Sequence, residues 1–276
     1  MSTQPNVAEN LELLALASAC ARDAGELVET MRVELVADGI TEHMETKSSS
    51  ADVVTAADRA AERTIIDGIL AARPDDSILG EEGGDRAGST GIRWLIDPID
   101  GTTNYLYDIP AYSVSIAAEN NGVLVAGAVY EPRGNTLYAA AAGAGATRNG
   151  QPIRCTGKSE LETSLIATGF GYVADRRRGQ AEVLLELLPL VRDIRRFGSA
   201  ALDLCFVASG LVDGYYERGL NPWDLAAGAL IASEAGAIVG DLRGGDPSPT
   251  FVLASAPNLF PALRDHLIDL AADQRP

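Results

Sequence analysis

The segment Trp94-Leu-Ile-Asp97-Pro-Ile-Asp100-Gly-Thr-Thr-Asn104 constrains the fold more than any other stretch of the chain. Trp94-Leu95-Ile96 is an apolar run that reads as a buried strand. Pro98 bends the chain, and Gly101-Thr102-Thr103 supply a helix start. Two carboxylates, Asp97 and Asp100, therefore arrive at the C-terminal end of a strand beside free backbone N–H groups. Such a place can hold a cation and a phosphate together. Asp-Pro and Asp-Gly are also ordinary turn formers, because Asp bonds its own backbone and Gly tolerates positive φ. Taken alone, the segment leaves both readings open.

Other acids narrow the choice. Asp58, in Val53-Val-Thr55-Ala-Ala-Asp58, has the spacing of a capping box with Thr55. Glu81 follows Ile78-Leu79-Gly80 and precedes Glu82; adjacent carboxylates point different ways, so at most one of them faces a site. Asp224 stands in Asn221-Pro222-Trp223-Asp224, where Pro222 suits the first turn of a helix and an acid favours the helix dipole. Glu217 ends the strand-like Tyr215-Tyr216-Glu217, as a rim residue would. Each acid has a structural explanation. Jointly, Glu81, Asp97, Asp100 and Asp224 all occupy strand ends or helix starts, where cleft residues of α/β proteins gather. If they converge, cations must balance them, and oxygen-only ligation selects Mg²⁺ or Mn²⁺ over zinc. His43 and His266 are the only histidines, which argues against a His₂ or His₃ metal site.

Composition bounds the rest. The 276 residues suffice for one large domain or two closely packed halves. Lys and Arg number 22 against 39 Asp and Glu, a formal net charge of −17 that repels nucleic acid and anionic membrane. Arg192, Arg195 and Arg196 are the exception, a local basic patch. A phosphorylated substrate would need positive charge, which bound cations supply. Cys20, Cys155 and Cys205 are odd in number and widely spaced, as free thiols of a reducing compartment are. Met-Ser-Thr-Gln-Pro-Asn lacks the basic and apolar regions of a signal peptide, and no apolar run approaches the ~20 residues of a membrane span. The expected location is the cytoplasm.

Periodicity predicts helices over 7–36 and 55–72 around a loop or loose hairpin at 40–52. Short strands follow at 77–79 and 93–96. Antiparallel pairs are predicted at 112–119 with 123–130, turned by Asn120-Asn121-Gly122, and at 136–140 with 144–148. The second half alternates: strands at 165–168, 194–197, 213–217 and 251–254, helices at 178–191, 199–210, 222–235 and 257–272. Two α/β halves, residues 1–155 and 156–276, would then share one cleft. A P-loop, a dinucleotide fingerprint and a Gly-x-Ser-x-Gly elbow are all absent. The Asp97-to-Asp100 spacing also differs from the Asp-x-Asp of aspartyl-phosphate phosphatases.

Gly80-Glu81-Glu82, Asp97-Pro-Ile-Asp100-Gly-Thr102-Thr and Trp223-Asp224-x-Ala-Ala-Gly, in this order, resemble the motifs of the inositol monophosphatase family, over roughly residues 45–240. Arg195-Arg-Phe-Gly-Ser-Ala-Ala-Leu-Asp-Leu-Cys205 and Pro222-Trp223-Asp224 look most like its bacterial, including actinobacterial, members. The resemblance implies an αβαβα sandwich, commonly dimeric, and a Mg²⁺-dependent, lithium-sensitive phosphate monoester hydrolase of the inositol-1-monophosphatase type. It implies that Glu81, Asp97, Asp100, Asp224 and the Ile99 carbonyl hold two metals, and that Asp58 helps hold a third through water. Thr102 would pair with Asp58 to orient the attacking water, with Glu81 close by. Backbone N–H groups of Gly101, Thr102 and Thr103 would cradle the phosphate, and Lys47 would lie near the third metal. Gly198, Ser199, Ala200 and Glu217, with Asp100 and Asp224, would line the substrate side. Asn221-Pro222 stands where the animal enzymes have His-Cys, and the loop after Thr168 also differs, so substrate choice stays open. Histidinol phosphate, fructose 1,6-bisphosphate and 3′-phosphoadenosine phosphate are the alternative substrates. A regulatory protein of RNA-processing machinery is the alternative outside enzymes.

Overall fold

Small residues at helical spacing decide how the first helix packs. α1 (Val7–Asp38) buries Leu13, Ala17, Ala21, Ala24 and Val28 along one stripe, and the alanines let its backbone come close to a sheet. α2 (Ala56–Ala72) buries Ala57, Ala61, Ile65 and Ile69 in the same way. The structure is a computed structural model that describes residues 6–38, 45–46, 53–54 and 56–275. Thr55, Lys47 and His43 lie outside the described residues. β1 (Glu45–Thr46) and β2 (Val53–Val54) pair antiparallel between the two helices.

Both helices cover one face of a seven-stranded sheet whose strands follow chain order. These are β3 (Ser77–Gly80), β4 (Ile92–Asp100), β5 (Ser113–Asn120), β6 (Val123–Glu131), β7 (Thr136–Ala141), β8 (Gly145–Arg148) and β9 (Gln151–Pro152). β3 and β4 run parallel and the remaining neighbours antiparallel. The short helix α3 (Thr102–Leu106) follows β4 directly. A second sheet has the order β11-β10-β12-β14-β13. Its strands are β10 (Leu165–Thr168), β11 (Asp193–Arg195), β12 (Gly214–Glu217), β13 (Ile238–Gly240) and β14 (Val252–Ser255).

The helices α4 (Ala174–Leu187), α5 (Ala200–Ala208), α6 (Pro222–Glu234) and α7 (Phe260–Asp269) complete the chain. α5 and α6 are apolar on nearly every side, which a helix tolerates only between two covering layers. They lie between the sheets: α6 packs on β4 to β8 and on β13, α5 on β5 and β6 and on β12 and β14. α4 and α7 close the far face through Val183, Leu187, Leu263 and Leu267. The result is an αβαβα sandwich.

The departures from the sequence-based expectations are local. β4 continues past Ile96 to Asp100, and its pairing shifts register: Asp97 faces Ser115, but Asp100 faces Ser113. Three steps on β4 oppose two on β5, a bulge that admits Pro98 without breaking the ladder. α4 begins at Ala174, four residues before the predicted start, because Arg176-Arg177-Arg178 are good helix formers that carry no apolar period. α7 is shorter than the predicted 257–272, and β9 and β13 were too short to show a pattern.

Asp76 ties β3 to β4 at the end of the strands opposite the acids. It is 1% exposed and accepts from Arg73 Nε at 2.5 Å, Thr90 Oγ1 at 2.6 Å and Trp94 Nε1 at 2.9 Å. Burial pushes its pKa up, but these three donors outweigh it and hold the carboxyl below its ordinary value. A depressed folded pKa adds stability above the unfolded pKa and loses it as pH falls through the folded one. Asp76→Ala is expected to cost about 3 kcal/mol, because it leaves a buried Trp N–H and a guanidinium unmatched. Urea denaturation checks this; a change below about 0.5 kcal/mol would contradict it.

Candidate active site

Acids reach one cleft from three elements. Glu81 follows β3, Asp97 and Asp100 sit at the β4 bulge, and Asp224 occupies the first turn of α6. Carboxylate oxygens of Glu81, Asp97 and Asp224 all lie within 4.8 Å of one another. Asp97 is 2% exposed, and the other two are half-buried. Asp100, Ile99, Gly101 and Thr102 line the same cleft, a cavity of about 130 Å³.

The backbone fixes each acid separately. At the bulge, the Ile99 N–H donates to Asp97 Oδ1 at 3.0 Å. The Glu81 N–H donates to the Ile96 carbonyl at 3.1 Å. Glu62 of α2 clamps the turn beyond: its carboxylate accepts from the Glu82 N–H at 2.8 Å and the Gly84 N–H at 3.0 Å. A Cβ on Gly80 would come within 2.4 Å of Glu62 Oε2, so a larger residue there would push the Glu62 carboxylate out of its clamp. Asp100 Oδ2 accepts from Ser199 Oγ at 2.6 Å and the Ala201 N–H at 2.7 Å, which pins the bulge to the start of α5. Asp224 Oδ2 accepts from the Asn221 N–H at 2.6 Å, so Asp224 caps its own helix as well as facing the cleft.

Gly101 turns the chain with φ +99; a Cβ there would lie 3.0 Å from the Ala111 carbonyl and 3.1 Å from that of Gly198. Thr102 Oγ1 is 3.2 Å from Asp58 Oδ1 and 3.1 Å from the Ile99 carbonyl. Its single proton serves one of these at a time.

The electrostatics are those of crowded, dehydrated acids. Burial, then the charges of Glu81, Asp100 and Asp224, push Asp97 well above the ordinary carboxylate range. Burial, then Asp100, does the same to Asp224. Burial lifts Asp100 to about 6, against the pull of Ser199 and the Ala201 N–H. Glu217, the last residue of β12, is pushed up to about 7 by burial, although the Tyr215 hydroxyl donates to it at 2.7 Å.

Of the remaining sequence candidates, Gly198, Ala200 and Glu217 line the cleft, whereas the Ser199 side chain is turned inward to Asp100. The Thr103 side chain is exposed and does not line it. Asp58 is buried behind Thr102. In the basic patch, Arg195 pairs with Asp193 and Arg192 donates to the Thr163 carbonyl, while Arg196 alone reaches the cleft. Several residues escape sequence reasoning. Glu62 stands on α2 four residues after Asp58, with no motif around it. Asp203 of α5 is 1% exposed, and burial, then the charges of Glu217 and Asp100, push its carboxyl well above the ordinary range. Phe170, Tyr172 and Arg176, in and after the loop that follows β10, also line the cleft.

A model of the inositol monophosphatase family matches residues 9–272. The inositol-1-monophosphatase of Mycobacterium bovis is 46% identical over 281 residues, which span 98% of this chain and 93% of that protein. Among solved structures, the extragenic suppressor protein suhB of Bartonella henselae superimposes with a TM-score of 0.87 at 35% identity, covering 93% of this chain and 98% of that one. Mycobacterium tuberculosis SuhB does so with a TM-score of 0.80 at 43% identity, covering 94% and 97%.

Carboxyl groups whose folded pKa is raised bind protons more tightly folded than unfolded. Without a cation, the fold therefore loses stability as pH rises from the unfolded value through the folded one, about 6 for Asp100. A divalent cation bound among them would take the place of those protons. Thermal unfolding of chelator-treated protein should show a Tm that rises on adding Mg²⁺ at about pH 7.5, and rises less at about pH 5. A Tm indifferent to the cation at the higher pH would contradict the charge argument. Glu62→Ala should weaken this Mg²⁺ response at about pH 7.5, with the wild-type response remaining if Glu62 does not hold the Glu81 turn.

Proposed function

The chain belongs to the inositol monophosphatase family, and we propose that it releases myo-inositol and phosphate from inositol 1-phosphate with Mg²⁺ in the carboxylate cleft. The family's activity is phosphoric monoester hydrolysis. The observation that supports a cation-assisted form of it here is the meeting of Glu81, Asp97 and Asp224 within 4.8 Å beside the Gly101 turn. Oxygen is the only donor type offered, which suits Mg²⁺, with Mn²⁺ as substitute.

In this reading Glu81, Asp97, Asp100, Asp224 and the Ile99 carbonyl hold two cations, and Asp58 contributes to a third. Mg²⁺ bound there would neutralise phosphate oxygens and lower the pKa of the attacking water. The chain's own residues do the positioning. Thr102, between Asp58 and the Ile99 carbonyl, orients the water, with Glu81 near it. The N–H groups of Gly101, Thr102 and Thr103 receive the phosphate at the start of α3. Glu217, steadied by the Tyr215 hydroxyl, accepts from a polyol hydroxyl, and Gly198, Ala200, Asp100 and Asp224 bound the ring, with Ser199 holding Asp100 in place. No Ser, Cys or His lines the cleft among the described residues, which favours direct attack by water without a phosphoenzyme.

Inhibition by lithium, a homodimer and a cytoplasmic location belong to the same proposal, resting on likeness to the family. So does the division into halves 1–155 and 156–276 that complete one site. The mycobacterial relatives' name supports inositol 1-phosphate over histidinol phosphate, fructose 1,6-bisphosphate or 3′-phosphoadenosine phosphate. Among the described residues no helix is long and apolar enough to cross a membrane.

Phosphate release from inositol 1-phosphate should require Mg²⁺. Asp97→Asn and Asp224→Asn should each lower kcat at least about 100-fold while circular dichroism stays native. Turnover near the native rate in either variant at saturating Mg²⁺ would refute the assignment.

A further inference from the structure

β10 and β12 run parallel with Thr168 opposite Tyr216, so Gly169 and Glu217 leave the second sheet side by side. A Cβ on Gly169 would overlap the Glu217 carboxylate, so bare main chain backs the acid on that flank. From there Phe170 and Tyr172 enter the lining of the cleft. Val173, where α4 begins, makes no side-chain cap bond, so the turn before the helix takes its order from elsewhere.

Gln180 of α4 supplies that order. Its Oε1 accepts from the Gly171 N–H at 2.9 Å, and its Nε2 donates to the Gly169 carbonyl at 3.4 Å. A primary amide carries a donor and an acceptor a fixed distance apart, and here one amide grips the main chain on both sides of Phe170. Gln180 itself does not line the cleft. Val183 and Leu187, which follow it on α4, are buried against the second sheet, so the grip is anchored in packed core. The aromatic pair offers what the carboxylates cannot. A cyclic polyol carries hydroxyls on its rim and C–H groups on its faces. Glu217 suits a hydroxyl, and an aromatic ring suits a C–H face. An open-chain polyol presents no such face.

We propose that Gln180 is a positioning residue for ring recognition. By fixing Gly169 and Gly171 it sets Phe170 and Tyr172 against the face of a cyclic polyol whose hydroxyl meets Glu217, and so selects cyclic over open-chain phosphate esters. Turnover of those esters, though not their binding, rests on the hydrolase reading above. Gln180 stands outside the cleft that holds the phosphate and the carboxylates, so its loss loosens the ring and leaves the bond-breaking step as it was.

The test compares inositol 1-phosphate with glycerol 2-phosphate, an acyclic ester, on the full chain with Mg²⁺. Wild-type protein should favour inositol 1-phosphate by about tenfold or more in kcat/KM. Gln180→Leu keeps the bulk and loses both hydrogen bonds. It should raise KM for inositol 1-phosphate about five- to tenfold, with its kcat and both constants for glycerol 2-phosphate kept within about twofold. That split distinguishes positioning from a general loss of fold. The Phe170→Ala, Tyr172→Ala double variant should show the same ring-specific loss, and adding Gln180→Leu to it should deepen the loss no further. Amide exchange over residues 169–173 should quicken in Gln180→Leu without substrate. A wild-type preference near one, an unchanged KM or unchanged exchange in Gln180→Leu, equal losses on both esters, or additive losses in the triple variant would overturn the role of Gln180. Absence of phosphate release from both esters would refute the hydrolase reading. Calorimetry of the intact esters with Mg²⁺ would then decide the role of Gln180 by the same affinity ratios.

Discussion

The structure depends on an unfavourable contact: three carboxylates crowded within 4.8 Å of one another in a partly buried cleft. Buried like charges raise one another's pKa, and Asp97 and Asp224 both show it. A chain does not assemble such a cluster for stability. The surrounding framework holds it against that repulsion: the β4 bulge through the Ile99 N–H, the Glu62 clamp behind Glu81, the Ser199 and Ala201 donors on Asp100, and the Asn221 N–H on Asp224. In each case one carboxylate oxygen, or the turn beside it, is spent on the backbone, and the acid's direction is set before any cation arrives.

The sandwich explains why acids distant in sequence meet. Glu81, Asp97 and Asp100 leave the first sheet at neighbouring strand ends, because β3 and β4 run parallel. Asp224 starts α6, which lies between the two sheets and packs on β4 and β5. The middle layer of helices is therefore both core and carrier. Its apolar body joins the sheets, and the N-terminal turns of α5 and α6 reach the cleft. Glu217, from the second sheet, closes the other side.

Much of this was legible in the sequence, for identifiable reasons. Trp94-Leu95-Ile96 marked the strand, the Asn120-Asn121-Gly122 turn marked a hairpin, and Pro222 marked the start of α6. Acids at such ends were natural cleft candidates. What stayed hidden depends on distant neighbours. The β4 bulge exists because Asp97 and Asp100 pair with Ser115 and Ser113, which no local pattern encodes. Glu62 reads as one polar position on an amphipathic helix until its two backbone donors are seen. Ser199 looked like a cleft residue and instead serves Asp100, because the start of α5 points its hydroxyl inward. Arg176 sat in a run of three arginines, and its place in the cleft depends on Gly219, more than forty residues away.

On the function proposed, Glu81, Asp97 and Asp224 converge in order to coordinate divalent ions. Crystals soaked in Mn²⁺, with anomalous data collected at the manganese edge, test it directly. The expected result is a strong anomalous peak at roughly 2–2.5 Å from oxygens of all three residues. Well-ordered density for these side chains with no anomalous peak among them would contradict it.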